Sequence, residues 1–420
     1  MSQSELSPGA PPPTHANTIN EQQHGIWVRI TQGPGLVSVL AVFVALVLGG
    51  LLIAATDAKV ATTAGYLFSR PSDFFSALWA AGTDSYVSLF QGSIYNSRQG
   101  FAPFLETLTV STPLICAGLG VALAFRAGLF NIGAQGQIII GSIMAAYAGF
   151  AWHLPFGIHL LVVIFMGVLG GAVWGGLVGL LKARTGAHEV ILTIMFNYVA
   201  LYFLDFLLNT KAFQRPGETN PISPILDPSA VFPALPGSRL HLGFVMAIGL
   251  TILVAWILNR STIGFEFRAV GANPAAARTA GVNVARSTIL VMAIAGALAG
   301  AAGVAQVAGT EQVLTAGIAA SLGFDAITVA LLGRSTPWGT FFAGLLFGAF
   351  RAGAVTMQIS TGTPIDIVLV VQSLIVLFIA APPLVRAMFG LNRKSKNKPP
   401  KTPKHAAPAP AAPASQGGGA

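Results

Sequence analysis

The chain has 420 residues, of which 54% are hydrophobic and only 9% charged, with a mean hydropathy of +0.71. Soluble domains carry about 25% charged residues, so the composition excludes an ordinary water-soluble globule and points to an integral membrane protein. The formal charge of +9 does not argue for nucleic acid: seven positive charges fall after residue 385, in a tail with no acidic residue, and such a tail marks the cytoplasmic side and touches anionic membrane lipid.

In chain order, residues 1–35 read as a polar, disordered N-terminal cytoplasmic segment. A bilayer-crossing helix needs about 20 apolar residues. Runs of that kind at 36–55, 104–125, 138–152, 160–181, 190–208, 242–258, 288–309, 312–333, 338–357 and 364–383 predict an all-α polytopic fold of about ten transmembrane helices. The transmembrane domain is thus 36–385, and 386–420 is a basic, then Pro/Ala/Gly-rich, disordered cytoplasmic tail. With both termini inside, sixteen Lys and Arg residues fall on the cytoplasmic side and six outside, as the positive-inside rule asks. The first apolar run is too long, and too far from the start, for a cleaved signal peptide. It is expected to remain as an anchor.

Gly167, Gly171, Gly175 and Gly179 repeat every four residues, as do Gly296 with Gly300 and Ala299 with Gly303. Small residues at this spacing let membrane helices approach closely. Glu189, Thr193, Asn197 and Asp205 instead form a polar stripe, which suits a wet cavity wall. Two readings stand for Glu189, a functional carboxylate or an acid placed at a helix N-terminus. In GLFNIGAQGQ, residues 128–137, the glycines permit a bend while Asn131, Gln135 and Gln137 bring amides to the membrane face; Asn131 either serves a substrate or caps the next helix. The stretch between 309 and 338 is interrupted by Gly317, Gly323 and Asp325, fitting a broken or re-entrant helix, with Asp325 and Arg334 as an alternative interfacial charge pair.

Residues 259–287, the coupling loop, interrupt two apolar runs with a complete short-helix specification. Asn273 is a good N-cap, Pro274 suits the first turn, and Gly281 is a natural stop. A helix from Pro274 to Ala280 would be about 10 Å long and marginal alone in water, so its purpose is to dock something. Catalytic signatures are missing. No G-x-x-x-x-G-K-[ST], H-E-x-x-H or G-x-S-x-G occurs, His188 and Glu189 lack a third partner, and the single Cys116 allows no intrachain disulfide or cysteine metal site. No metal, and no cofactor bound by this chain, is expected.

Four strings, GLGVALAFRAGLFNIGAQGQ, KARTGAHEVILTIMFNYVA, FRAVGANPAAARTAGV and GFDAITVALLGRSTPWG, together resemble the permease subunits of bacterial ABC importers for nucleosides and simple sugars. The resemblance is strongest to the first permease of purine-nucleoside, guanosine-type uptake systems and covers about residues 100–385. It implies the branched-chain amino acid/ribose/nucleoside permease type in the bacterial plasma membrane. It also implies a second homologous permease, a cytoplasmic ABC ATPase that holds ATP and Mg, and an outer substrate-binding lipoprotein or periplasmic protein. By this likeness Phe267, Arg268, Gly271, Asn273, Pro274, Ala275, Ala276, Ala277, Arg278 and Gly281 lie in the ATPase-coupling helix, with Arg268 and Arg278 facing acidic partners and Ala275–Ala277 packing closely. The family has an acidic residue where this chain has Gln135. The substrate path is expected to involve Asn131, Gln135, Gln137, Glu189, Thr193 and Asn197, and segments 56–100 and 209–241 to receive the binding protein. The rival functions are ribose or simple-sugar import by the same architecture, ATPase-independent secondary transport, and a membrane enzyme.

Overall fold

A computed structural model describes residues 34–389, and nearly every long apolar run in them is helical. The helices are α1 (Pro34–Thr56), α2 (Ala58–Ala64), α3 (Pro71–Ser93), α4 (Ala102–Arg126) and α5 (Ala134–Ala151). They continue with α6 (Ile158–Thr185), α7 (Glu189–Leu208), α8 (Gly243–Arg260), α9 (Thr262–Ala272) and α10 (Pro274–Thr279). The last are α11 (Val284–Val304), α12 (Leu322–Leu332), α13 (Pro337–Thr361), α14 (Ile365–Ala380) and α15 (Pro382–Met388). Among the described residues β-structure is limited to isolated bridges. The expectations for 1–33 and 390–420 lie outside the described residues; Arg386, assigned to the tail, sits in the last turn of α15.

The seam between α6 and α11 holds the bundle together. A Cβ at Gly171 would land on the Gly296 carbonyl, one at Gly296 on the Gly171 carbonyl, one at Gly300 on Gly167, and one at Gly175 on Met292. The four-residue repeat thus buries backbone against backbone, as its spacing predicts. Against this pair lies α4, whose residues from Ser111 to Ala124 are all buried. A Cβ at Gly120 would come within 2.5 Å of Ala295 O on α11, and one at Gly344 of α13 within 2.5 Å of Ile115.

The all-α polytopic fold of about ten helices is present, with the runs differing in length. Among the described residues six helices are long and apolar enough to cross a bilayer, or seven if α1 and α2, bent by 73°, count as one span. The runs at 138–152, 312–333 and 364–383 correspond to α5, α12 and α14, of 18, 11 and 16 residues. The run at 288–309 extends through a π-helical turn, Ala305–Glu311. Residues 312–321 are then irregular, with Gln312 and Ala320 at positive φ, so the expected break between 309 and 338 is present.

A correction concerns 56–100, read as an outer segment without a span. Most of it is the 23-residue α3, packed on α13: a Cβ at Gly353 would come within 3.0 Å of the Leu89 side chain. Its serines and aspartates dilute its hydropathy, which hid it from a search for apolar runs. Pro71 in the first turn, Asp73 beside it, and Phe75, Trp79, Tyr86 and Phe90 at helical spacing were the available signals. Segment 209–241 lacks α-helix, as expected, but is not loose. Leu314 N donates to Ser223 Oγ (2.8 Å), Phe232 N to Ala308 O (2.9 Å) and Asp227 N to Gly149 O (2.9 Å).

Gly296→Val is expected to destabilise the bundle by about 3 kcal/mol or more, because overpacking here meets backbone rather than a movable side chain. Gly249→Ala, where a Cβ meets nothing within 4 Å, serves as control. Thermal unfolding in detergent compares them, and equal midpoints would contradict the seam.

Candidate functional site

Three neighbourhoods carry the chemistry. The first is the bracket formed by α9 and α10. Ser261 Oγ accepts from Gly264 N (3.0 Å) to start α9, and Asn273, extended at φ −160°, breaks it. The same Asn273 caps α10, its Oδ1 accepting from Ala275 N (3.0 Å) and Ala276 N (3.1 Å). Pro274 follows at the first helical position, and Gly281, at φ +86°, ends the unit. Both cap and stop stand where the residue pattern places them.

Orientation within the bracket differs from the expected contact set. Phe267 is fully buried, Ala277 is buried, and a Cβ at Gly271 would fall on the Arg126–Ala127 backbone. These residues anchor the bracket to its own chain. Gly128, at φ +72°, meets Gly271 at this junction. Arg268 is half-buried and lines a cleft of about 200 Å³ with Arg126 and Trp338. Pro274, Ala275, Ala276 and Arg278 remain exposed. Exposed Ile263 and Phe265 join them. Sequence reasoning missed that pair, although their helical offset from inward Phe267 and Val270 was readable.

The second neighbourhood is the amide cluster at the start of α5. Asn131 and Gln137 are buried and bonded to each other, Asn131 Nδ2 donating to Gln137 Oε1 (3.1 Å). Asn131 Oδ1 accepts from Gly133 N (3.0 Å), while Asn197 Oδ1 accepts from Gly136 N (2.8 Å) and its Nδ2 donates to Ile132 O (3.0 Å). Buried Thr193 donates to Glu189 O (2.8 Å) on its own helix. Gln135 reaches further, Nε2 donating to Ala320 O (2.6 Å) and Oε1 accepting from Gly323 N (2.8 Å). Ala320 is held at φ 38°, a conformation costly for a non-glycine residue. An amide performs both roles at once, whereas an ionised carboxylate only accepts. Glutamine at 135 therefore makes a pair of contacts that an ionised carboxylate could not.

Asn131, Gln137 and Asn197 thus meet at the bent backbone, while Gln135 reaches the 320–323 segment and Thr193 bonds its own helix. The last of the six, Glu189, sits at the α7 N-terminus with its carboxylate 2.6 Å from Lys182 Nζ. Asp205 is exposed, so the stripe does not continue as a cavity lining.

The third neighbourhood is a cavity of about 800 Å³ between α3, α4, α13 and the turn at 237–239. Glu106 and Arg239 pair across it at 3.0 Å, and Arg351 lines it while pairing with Asp325 in the first turn of α12. Asp325 therefore has a partner other than the expected Arg334. The clue was Arg351 itself, a cation inside an apolar run. Two residues after Arg239, His241 is buried, stacked on Phe232 at 5.5 Å, with Nδ1 accepting from Gly243 N (3.1 Å). Burial first, and Arg239 second, push its pKa down to about 4. On the same segment, Asp227 is held below the usual carboxylate range by its hydrogen bond with His153.

Asn197→Leu would strip two backbone groups of their partners, at about 1–3 kcal/mol each. The expected result is a lower thermal midpoint in detergent. Lost uptake at unchanged stability would instead mark Asn197 as a substrate contact. For His241, the unfolded imidazole binds a proton near pH 6.5 and the folded one only near 4. Between these values the unfolded state holds more protons, so stability is complete above pH 6.5 and declines as pH falls towards 4. His241→Phe should flatten that part of the pH–stability profile, and an unchanged slope would contradict the assignment.

A family model described as branched-chain amino acid transport system / permease component matches residues 104–380. The guanosine ABC transporter permease protein NupP of Bacillus subtilis (strain 168) is 37% identical over 371 residues, 86% of this chain and 98% of its own. The nucleoside ABC transporter permease protein NupB of Lactococcus lactis subsp. cremoris (strain MG1363) is 35% identical over 314 residues, 72% of this chain and 85% of its own. The glucose ABC transporter permease protein TsgB13 of Haloferax volcanii is 32% identical over 287 residues, 65% of this chain and 75% of its own. The same Bacillus and Lactococcus strains each supply a second, more distant relative, NupQ and NupC. No solved structure matches the chain. With apolar helices long enough to span a bilayer and a match across most of its length, the protein is an integral membrane transport component rather than an enzyme, and it belongs to the branched-chain amino acid transport system permease family.

Proposed function

We propose that the protein is one membrane-spanning half of an ATP-driven ABC importer of nucleosides, purine nucleosides foremost. A second homologous permease completes the path, a cytoplasmic ATPase holds ATP and Mg, and an outer binding protein delivers the solute. Both termini lie on the cytoplasmic side, and the bracket meets the ATPase there. The observation that carries this reading is the α9–α10 bracket: a unit anchored by Phe267, Gly271 and Ala277 that leaves Ala275, Ala276 and Arg278 outward. Such a lever transmits force because its inner face cannot slip, while its outer face is free to seat in a partner. The nucleoside assignment is supported by the names of NupP and NupB, and the second permease by the pairing of NupP with NupQ and of NupB with NupC. The match to TsgB13 keeps sugar import as the second reading.

ATP drives such a cycle only by binding the two permease arrangements unequally. Ala276→Glu places a bulky charge on the exposed face of α10 without touching its buried side. In cells carrying the intact transport system it is expected to lower labelled-guanosine uptake at least ten-fold, with the permease still inserted at wild-type level. Wild-type uptake in this variant would refute the docking role. Solute movement by the purified chain alone in liposomes, down an ion gradient, would refute the ATP-driven reading.

A further inference from the structure

The 800 Å³ cavity is within the range of small-molecule sites, about 300–1,000 Å³, and none of the six expected path residues lines it. Its wall has a specific electrostatic character. Glu106 and Arg239 neutralise each other at 3.0 Å, and Arg351 is neutralised by Asp325. Gln99, Ser238 and Thr356 add uncharged donors and acceptors, while Pro103, Val110 and Val355 supply apolar surface. A charged solute would enter a wall whose charges are already paired, and would lose water without gaining a counter-ion. An uncharged solute with several hydrogen-bonding groups and an apolar face fits both parts of this lining.

Arg351 is the residue placed to read such a solute. A cation within a membrane helix is costly and is retained where it has work to do. Its contacts with Asp325 Oδ2 and with Ser321 Oγ (2.6 Å) both use Nη2. The guanidinium carries five N–H donors, so among the described residues Nη1 and Nε keep donors for an occupant. Those contacts also join the cavity to the irregular 312–321 segment and to the first turn of α12, the segment that Gln135 holds from the other side.

We propose that this cavity is a solute vestibule in which Arg351, oriented by Asp325 and Ser321, hydrogen-bonds an uncharged polyhydroxyl or heterocyclic solute and selects it over charged ones. The choice of guanosine as probe rests on the importer reading above; the vestibule itself rests on the cavity and its paired charges. Two measurements test it. Cys116, the single cysteine, is fully buried, so Val355→Cys introduces one accessible thiol into the cavity of an otherwise unreactive chain. Its modification by a polar thiol reagent, in membranes carrying the intact transporter, is followed with guanosine, adenosine, ribose and guanosine monophosphate. A neutral nucleoside is expected to slow labelling at least five-fold and the monophosphate to leave it unchanged. Protection by ribose alone retires the nucleoside reading and keeps the vestibule. Protection by no solute, or by the monophosphate as strongly as by guanosine, overturns the vestibule.

The second measurement separates contact from charge balance. Arg351→Gln is expected to raise the uptake KM at least ten-fold for the solute that protects. If Arg351 served only to neutralise Asp325, the double variant Arg351→Gln/Asp325→Asn, which removes both charges, would recover the wild-type KM. A KM that stays raised in the double variant supports the contact, and a recovered one overturns it.

Discussion

The backbone contact between α6 and α11 is the constraint on which the rest of the bundle depends. Lipid offers apolar helices no hydrophobic reason to associate, so packing must come from close approach. Gly171, Gly175, Gly296 and Gly300 provide it by letting backbone meet backbone at the seam. This pair presents Ala295 and Leu298 to α4 and Gly303 to α5, where a Cβ would come within 2.5 Å of Ile138 O. Because these contacts are backbone to backbone, the seam cannot slide by small adjustments. Movement during transport is then left to the elements around it.

Those surrounding elements form a continuous set of contacts from one end of the bundle to the other. The α9–α10 bracket rests through Gly271 on Gly128, next to the bent segment that Asn131, Gln137 and Asn197 hold in shape. From that segment Gln135 grips Ala320 and Gly323 at the helix break. Two residues beyond the second grip, Asp325 takes Arg351 at the cavity wall. Each link is a hydrogen bond, an ion pair or a glycine contact. The irregular 312–321 segment between them lacks the regular ladder that would resist rearrangement, and broken helices of this kind occur where transporters build their paths.

The arrangement also explains how ionisable groups are kept inside an apolar fold. Asp325 with Arg351, Glu106 with Arg239, and Glu189 with Lys182 are each paired. Breaking one partner out of such a pair costs more than the pair contributes, which favours solutes that leave the pairs intact. The amides obey the same rule. Asn131 and Asn197 satisfy backbone groups at the bend, and Gln137 pairs with the Asn131 side chain.

How much was legible follows from the range of each signal. The membrane class, the glycine seam and the short capped helix at Pro274 were readable because composition, four-residue spacing and N-cap chemistry act within a few residues. The sequence also marked Asn131, Gln135 and Asn197 as special without revealing their partners: Gly133 for Asn131, Ala320 and Gly323 for Gln135, Ile132 and Gly136 for Asn197. It overlooked α3, whose polar content masks a helix made stable by packing on α13. Only tertiary structure decided that Ala277 turns inward while Ala276 turns outward, that Asp325 pairs with Arg351, and that Glu106 and Arg239 meet from positions 133 residues apart. Local propensity and hydropathy are properties of neighbours along the chain. Which polar groups satisfy one another inside the bundle is set by how the helices pack, and no local pattern encodes that.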